Sequence, residues 1–221
     1  MKKPPLSLYL SEHFRAIRER LELGSINFDE PLSIEADRSP VLVIPGFMTS
    51  DRSTRTLRRF IDSLGNKTYP WSLGVNLGDF DADMEHLEKK VDAISKNHDQ
   101  QVILIGWSLG GIYARELAKS KVQQVEQVIT MGSPFRDLED PKNNVMWLFN
   151  LVSRISRREE PDEDLLKQLV EPAPVKTHAI YSKQDGIVPW EACKELVEDA
   201  DHINIEAVSY THLTLPTTPY V

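Results

Sequence analysis

Val102-Ile103-Leu104-Ile105-Gly106-Trp107-Ser108-Leu109-Gly110-Gly111, continued by Ile112-Tyr113-Ala114-Arg115-Glu116-Leu117-Ala118, decides how the rest of the chain is read. The apolar run that opens it, rich in β-branched residues, has the composition of a strand buried on both faces. After the glycines, Leu109, Ile112, Tyr113, Glu116 and Leu117 recur at helical spacing, so a helix starts at once. Between strand and helix lies G-x-S-x-G, whose mechanics require that order of elements, with the serine on a sharp turn. Such a turn presses the residues two before and two after the serine together, leaving no room for a side chain at Gly106 or Gly110. Ser108 then stands exposed at the carboxyl end of a parallel sheet, and the Leu109 amide points where an oxyanion would form. The chain carries its own control: Trp71-Ser72-Leu73-Gly74 repeats residues 107–110 letter for letter. There Pro70 replaces the first glycine and no apolar run precedes it, so Ser72 reads as a loop residue.

Outward from this stretch, apolar runs alternate with amphipathic segments. Strands are expected at 40–44, 67–71, 125–131, 177–181 and 202–208. Helices are expected at 51–64, with Leu57, Phe60, Ile61 and Leu64 inward; at 81–97, with Met84, Leu87, Val91 and Ile94 inward and Asp81 or Asp83 at the start; and at 190–198. The fold class is therefore α/β: a mostly parallel sheet of about six or more strands with helices on both faces. Ligands on such a sheet sit beyond the carboxyl ends of the strands, so functional residues should follow strands. Residues 136–172 interrupt the alternation with Val145-Met146-Trp147-Leu148-Phe149, Leu151, Val152 and Ile155, then Leu165, Leu166 and Leu169. That is too long for an ordinary connection. It reads as a small helical cap over the cleft, with padding of the sheet edge as the alternative. Residues 1–39 read as an amphipathic helix at 6–23 (Leu6, Tyr9, Leu10, Phe14, Ile17 and Leu21 along one stripe) and a connection over 24–39.

A net charge of −8 argues against nucleic acid, which needs a basic face. The single cysteine, Cys193, excludes a disulfide framework and points to a reducing compartment. Charged residues interrupt the amino-terminal segment too early for a signal peptide, and no run reaches transmembrane length. The expectation is a cytoplasmic protein without stable membrane insertion. The oligomeric state is left open.

A serine hydroxyl becomes a useful nucleophile only when a base takes its proton and a carboxylate orients that base. On this kind of sheet the partners follow in the order serine, acid, histidine. Asp185 lies four residues past strand 177–181, at the correct edge, and a turn or capping role is its alternative. Asp137, after the preceding strand, is the fallback acid. The second oxyanion amide belongs on the loop after an earlier strand, where Pro45-Gly46-Phe47 offers Phe47, unless that ring merely fills core.

These three segments, Pro45–Phe47, Gly106–Gly111 and Asp185-Gly186-Ile187-Val188-Pro189, in this order and with these gaps, resemble the α/β-hydrolase superfamily, and within it bacterial esterase/lipase-like hydrolases. The resemblance covers roughly residues 40–208. It implies a full or trimmed sheet of the eight-strand type, a Ser–Asp–His triad, no metal or other cofactor, and acyl-ester chemistry, and it does not fix the substrate. The apolar Trp147, Leu148 and Phe149 suggest a small-molecule ester with an apolar acyl part. It also implies a base in the loop after the last strand, where His212 is the histidine present. His13, His86 and His98 fall on helices, and His178 and His202 at the amino ends of strands. Residues 209–221 carry no charge and no helical pattern, and resemble translated adaptor read-through. Either His212 is the base, or this tail is non-native and the natural base is missing. Three function classes therefore remain in view: an ester hydrolase, an acyltransferase using the same acyl-enzyme, and a non-catalytic binder or inactive fragment lacking the triad histidine.

Overall fold

A computed structural model describes residues 39–136, 163–185, 188–196 and 199–207. Six strands, β1 (Val41–Ile44), β2 (Thr68–Pro70), β3 (Val102–Trp107), β4 (Val125–Met131), β5 (Lys176–Tyr181) and β6 (His202–Glu206), form one sheet in the order β2-β1-β3-β4-β5-β6. Every pairing is parallel. Around them run α1 (Arg55–Ser63), α2 (Phe80–His98), α3 (Leu109–Ser120) and α4 (Glu163–Val170), with a 3-10 turn at Trp190–Cys193.

The continuous apolar runs of β1 and β3 are explained by cores on both sheet faces. Val41, Val43, Ile103 and Ile105 point to one face, where Ile61, Leu57 and Phe60 of α1 cover them. Their neighbours Leu42, Ile44, Val102 and Leu104 point to the other, against α2 and α3. Alternation along a strand thus feeds two cores at once. Leu87, Val91 and Ile94 of α2 are buried in the second core, each contributing roughly 1.5–3 kcal/mol. Asp79 caps this helix by accepting from the Ala82 N–H, just ahead of Asp81 and Asp83, which occupy its first turn. Among the described residues no helix is long and apolar enough to cross a membrane.

Two expectations change. Residues 51–54 form a turn, and α1 begins at Arg55. The helix expected over 190–198 is only the 3-10 turn at 190–193. Lys194 is extended (φ −99°, ψ 140°) because the Glu195 N–H leaves the helical path to donate to Asn204 Oδ1 of β6 at 2.8 Å. In the expected cap, α4 is described and its Leu169 is buried in the core beside α3. Residues 137–162, the helix expected at 6–23 and the tail 209–221 lie outside the described residues.

Candidate active site

The chain runs outward from β1 to β2, then returns past β1 to lay β3, β4, β5 and β6 on its other side. The reversal lies between β1 and β3, the kind of switch point where the crevice of an open α/β sheet opens. Ile44 pairs with Gly106 there, so the segments leaving β1 and β3 emerge side by side.

Ser108 sits on that crevice with φ 52° and ψ −121°, a left-handed conformation that a non-glycine residue holds only under constraint. The constraint is visible. The Ser108 N–H donates to Met131 O at the end of β4 (2.9 Å), and the Ser108 carbonyl accepts from the Gly111 N–H (3.0 Å). A β-carbon on Gly106 would overlap the backbone of Gly110 and Gly111, and one on Gly110 would overlap the carbonyls of Ile44 and Pro45. The glycines therefore permit two close approaches: strand to helix across the turn, and helix to the end of β1. Ser72 also has positive φ (67°), but it lies on an exposed loop, its hydroxyl bound by Lys90.

Gly46 reaches the serine from the other side. A β-carbon there would stand 3.3 Å from Ser108 Cβ and 3.2 Å from Trp107 O. Phe47 follows, half-buried, its ring packed on the core. Loop 45–49 is held by Asn76, which is fully buried and which sequence reasoning passed over in a loop rich in glycine. Its Nδ2 donates to Pro45 O (2.8 Å), its N–H to Thr49 O, and its carbonyl accepts from the Met48 N–H. Among the described residues, neither the Phe47 N–H nor the Leu109 N–H has an acceptor. The latter opens α3, where orphan donors and the positive end of the helix dipole coincide.

Asp185 lies beyond the carboxyl end of β5, at the same sheet edge as Ser108 with β4 between their strands. It is 5% exposed. Its N–H donates to Ser182 O (3.1 Å), and Oδ1 accepts from the Val188 N–H (2.9 Å), which fixes the carboxylate. Burial, aided by Asp185 and Glu191, pushes the Cys193 thiol well above its ordinary range, so it is no competing nucleophile.

The structure thus brings Ser108, Leu109 and Phe47 together and places Asp185 on their edge. His212 and Asp137 lie outside the described residues. Ala207, whose N–H donates to Tyr181 O, takes the chain out of β6 at this same edge. The described histidines are placed elsewhere. His86 bonds to Ala82 O and His98 to the Tyr69 hydroxyl. His178 lies within β5, where burial and then Lys176 lower its pKa. His202, at the amino end of β6, bonds to Asp199 and Ala173 O.

Sequence reasoning also missed Arg115, on α3 two turns after Ser108. Its guanidinium is buried against Glu195, donates to Glu171 O (2.9 Å) and lies 3.8 Å over the Phe135 ring. Burial pushes its pKa down while Glu195 pulls it back up. The available signal was a cation placed directly after the apolar run Ile112–Ala114.

Among solved structures, the lipase B of Aspergillus fumigatus superposes with a TM-score of 0.58 at 16% identity, covering 86% of this chain and 51% of that one. The chain thus spans about half that lipase's length. Bacillus licheniformis lipase BlEst2 gives 0.52 at 14%, covering 84% and 90%, and Paleococcus ferrophilus monoacylglycerol lipase 0.52 at 15%, covering 77% and 84%. At these identities the likeness shows the α/β-hydrolase fold and selects no substrate. No curated protein sequence matches the chain. The family model described as PGAP1-like alpha/beta domain matches residues 35–186, more than half of the sequence. The chain belongs to the PGAP1-like α/β-domain family.

Proposed function

We propose that the protein is a serine hydrolase that cleaves a carboxylic ester through an acyl-enzyme on Ser108. One observation carries this reading: a serine held at φ 52° on the switch point, beside the amides of Leu109 and Phe47, which have no acceptor among the described residues. Strain of this kind costs about 1–3 kcal/mol and persists where position matters more than stability. Ser108 Oγ attacks the ester carbonyl, and its proton passes to a histidine, for which His212 is the positional candidate. Asp185, buried and fixed by the Val188 N–H, orients that imidazole. The two amides take the developing oxyanion, an interaction worth about 3 kcal/mol per donor. The protonated imidazole returns its proton to the leaving alkoxide, and water then repeats the sequence on the acyl-enzyme.

The test is hydrolysis of a short p-nitrophenyl ester by the whole chain and by Ser108→Ala. The reading expects hydrolysis that the substitution abolishes; turnover that survives it removes the mechanism. A non-catalytic reading draws on a different observation, that the described histidines are all placed away from Ser108. It expects a folded chain that hydrolyses no ester and leaves Ser108 unmodified by a fluorophosphonate.

A further inference from the structure

The pair formed by Arg115 and Glu195 is a poor choice for stability alone. Both side chains are almost fully buried, at 1% and 2% exposure. Removing two charges from water is repaid only when every donor and acceptor is satisfied. Here Arg115 Nε has no acceptor among the described residues. Fixing geometry is one use for which a buried pair is kept at such a cost.

The pair's contacts show what it fixes. Arg115 belongs to α3, the helix that Ser108 opens, and Glu195 closes the segment that follows Asp185. The same guanidinium packs on Phe135, whose N–H donates to Ala192 O at 2.9 Å. The Ala192 N–H in turn donates to Pro189 O, and the neighbouring Val188 N–H holds Asp185 Oδ1. One cation therefore grips the segment 188–195 at two points, directly at Glu195 and through Phe135 at Ala192. We infer that Arg115 and Glu195 are positioning residues: their buried pair clamps the Asp185 turn to the helix that carries Ser108, setting the spacing between acid and nucleophile. The catalytic half of this inference rests on the hydrolase reading. The mechanical half does not.

The test uses the full chain with two substitutions. Arg115→Met combined with Glu195→Leu replaces the pair by apolar groups of similar size, a change that folded proteins tolerate. Arg115→Lys keeps the charge but loses the fork that reaches several acceptors. Amide hydrogen exchange is followed at Val188 and Ala192, with Ile103–Ile105 of β3 as internal reference. The expected result is exchange about tenfold faster at Val188 and Ala192 with β3 unchanged, in both variants. If the parent hydrolyses esters, kcat should fall about tenfold with KM kept, because misplacing an orienting group spares binding. Unchanged exchange at Val188 in a folded variant overturns the clamp. Loss of protection throughout the sheet, or failure of both variants to fold, assigns the pair to global stability and overturns it too. A parent that hydrolyses nothing while its variants loosen Val188 would retain the clamp and refute the hydrolase reading separately.

Discussion

Gly106→Ala tests the turn where the whole arrangement is tightest. The added methyl would lie inside the normal contact distance of the Gly110 carbonyl and the Gly111 Cα. Those atoms belong to the first turn of α3, so no side-chain rotation relieves the overlap. Either α3 retreats from the sheet or β3 bends. Overpacking of this kind costs about 1–3 kcal/mol when flexible side chains absorb it, and a clash of backbone on backbone belongs at the upper end, about 3 kcal/mol. For a chain of this size that lowers the thermal midpoint by about 6–12 °C. Gly65→Ala is the matched control. Gly65 has φ 96° with nothing near its missing β-carbon, so alanine there suffers conformational strain alone, about 1 kcal/mol. Thermal and guanidinium unfolding of both variants separate the two causes. If Gly106→Ala is as stable as the parent, or loses less than Gly65→Ala, the close approach of β3 and α3 is wrong.

Other outcomes follow from single contacts. Glu195→Leu alone leaves Arg115 charged and buried without its partner, a loss of about 3–5 kcal/mol in denaturant unfolding; adding Arg115→Met should restore most of it. Asp51 accepts from the Trp71 and Ser72 N–H groups at 2.9 and 3.0 Å, so Asp51→Ala should cost about 1–3 kcal/mol, mainly from the donor left at buried Trp71. Partial burial works to lower the pKa of His202, but its bonds to Ala173 O and Asp199 prevail and raise it. A raised value means that the imidazolium stabilises the fold below the usual histidine range, and that this support is lost as pH rises through the raised value. The stability difference between the parent and His202→Asn should therefore shrink on going from about pH 5 to about pH 9; a difference that grows would contradict the assignment. Ser72→Ala, despite the shared tetrapeptide, should leave any reaction at Ser108 unchanged.

The sheet was legible because its central strands β1 and β3 are apolar on both faces, and Val41–Ile44 and Val102–Ile105 announce this without help from partners. The turn was legible because its glycines obey a local steric rule. What escaped was long-range. Glu195 lies two residues past the 3-10 turn and pairs with a cation 80 positions earlier, so the segment after Pro189 reads as a helix until Arg115 and Asn204 are placed beside it. Asn76 looks like an ordinary loop residue until Pro45 O and Thr49 O are found against it. Helix α3 is buried on all sides from Leu109 to Ala118, so an amphipathic pattern could not show which of its charges lie inside.

The proposed mechanism makes Ser108 Oγ the reacting atom. Incubating the intact folded chain with a fluorophosphonate and mapping the modified peptide by mass spectrometry addresses it directly. Phosphonylation confined to Ser108 and absent from Ser72 is expected, with Ser108→Ala removing all label. A folded chain that takes up no label, or takes it up at another residue, rules out Ser108 as the nucleophile.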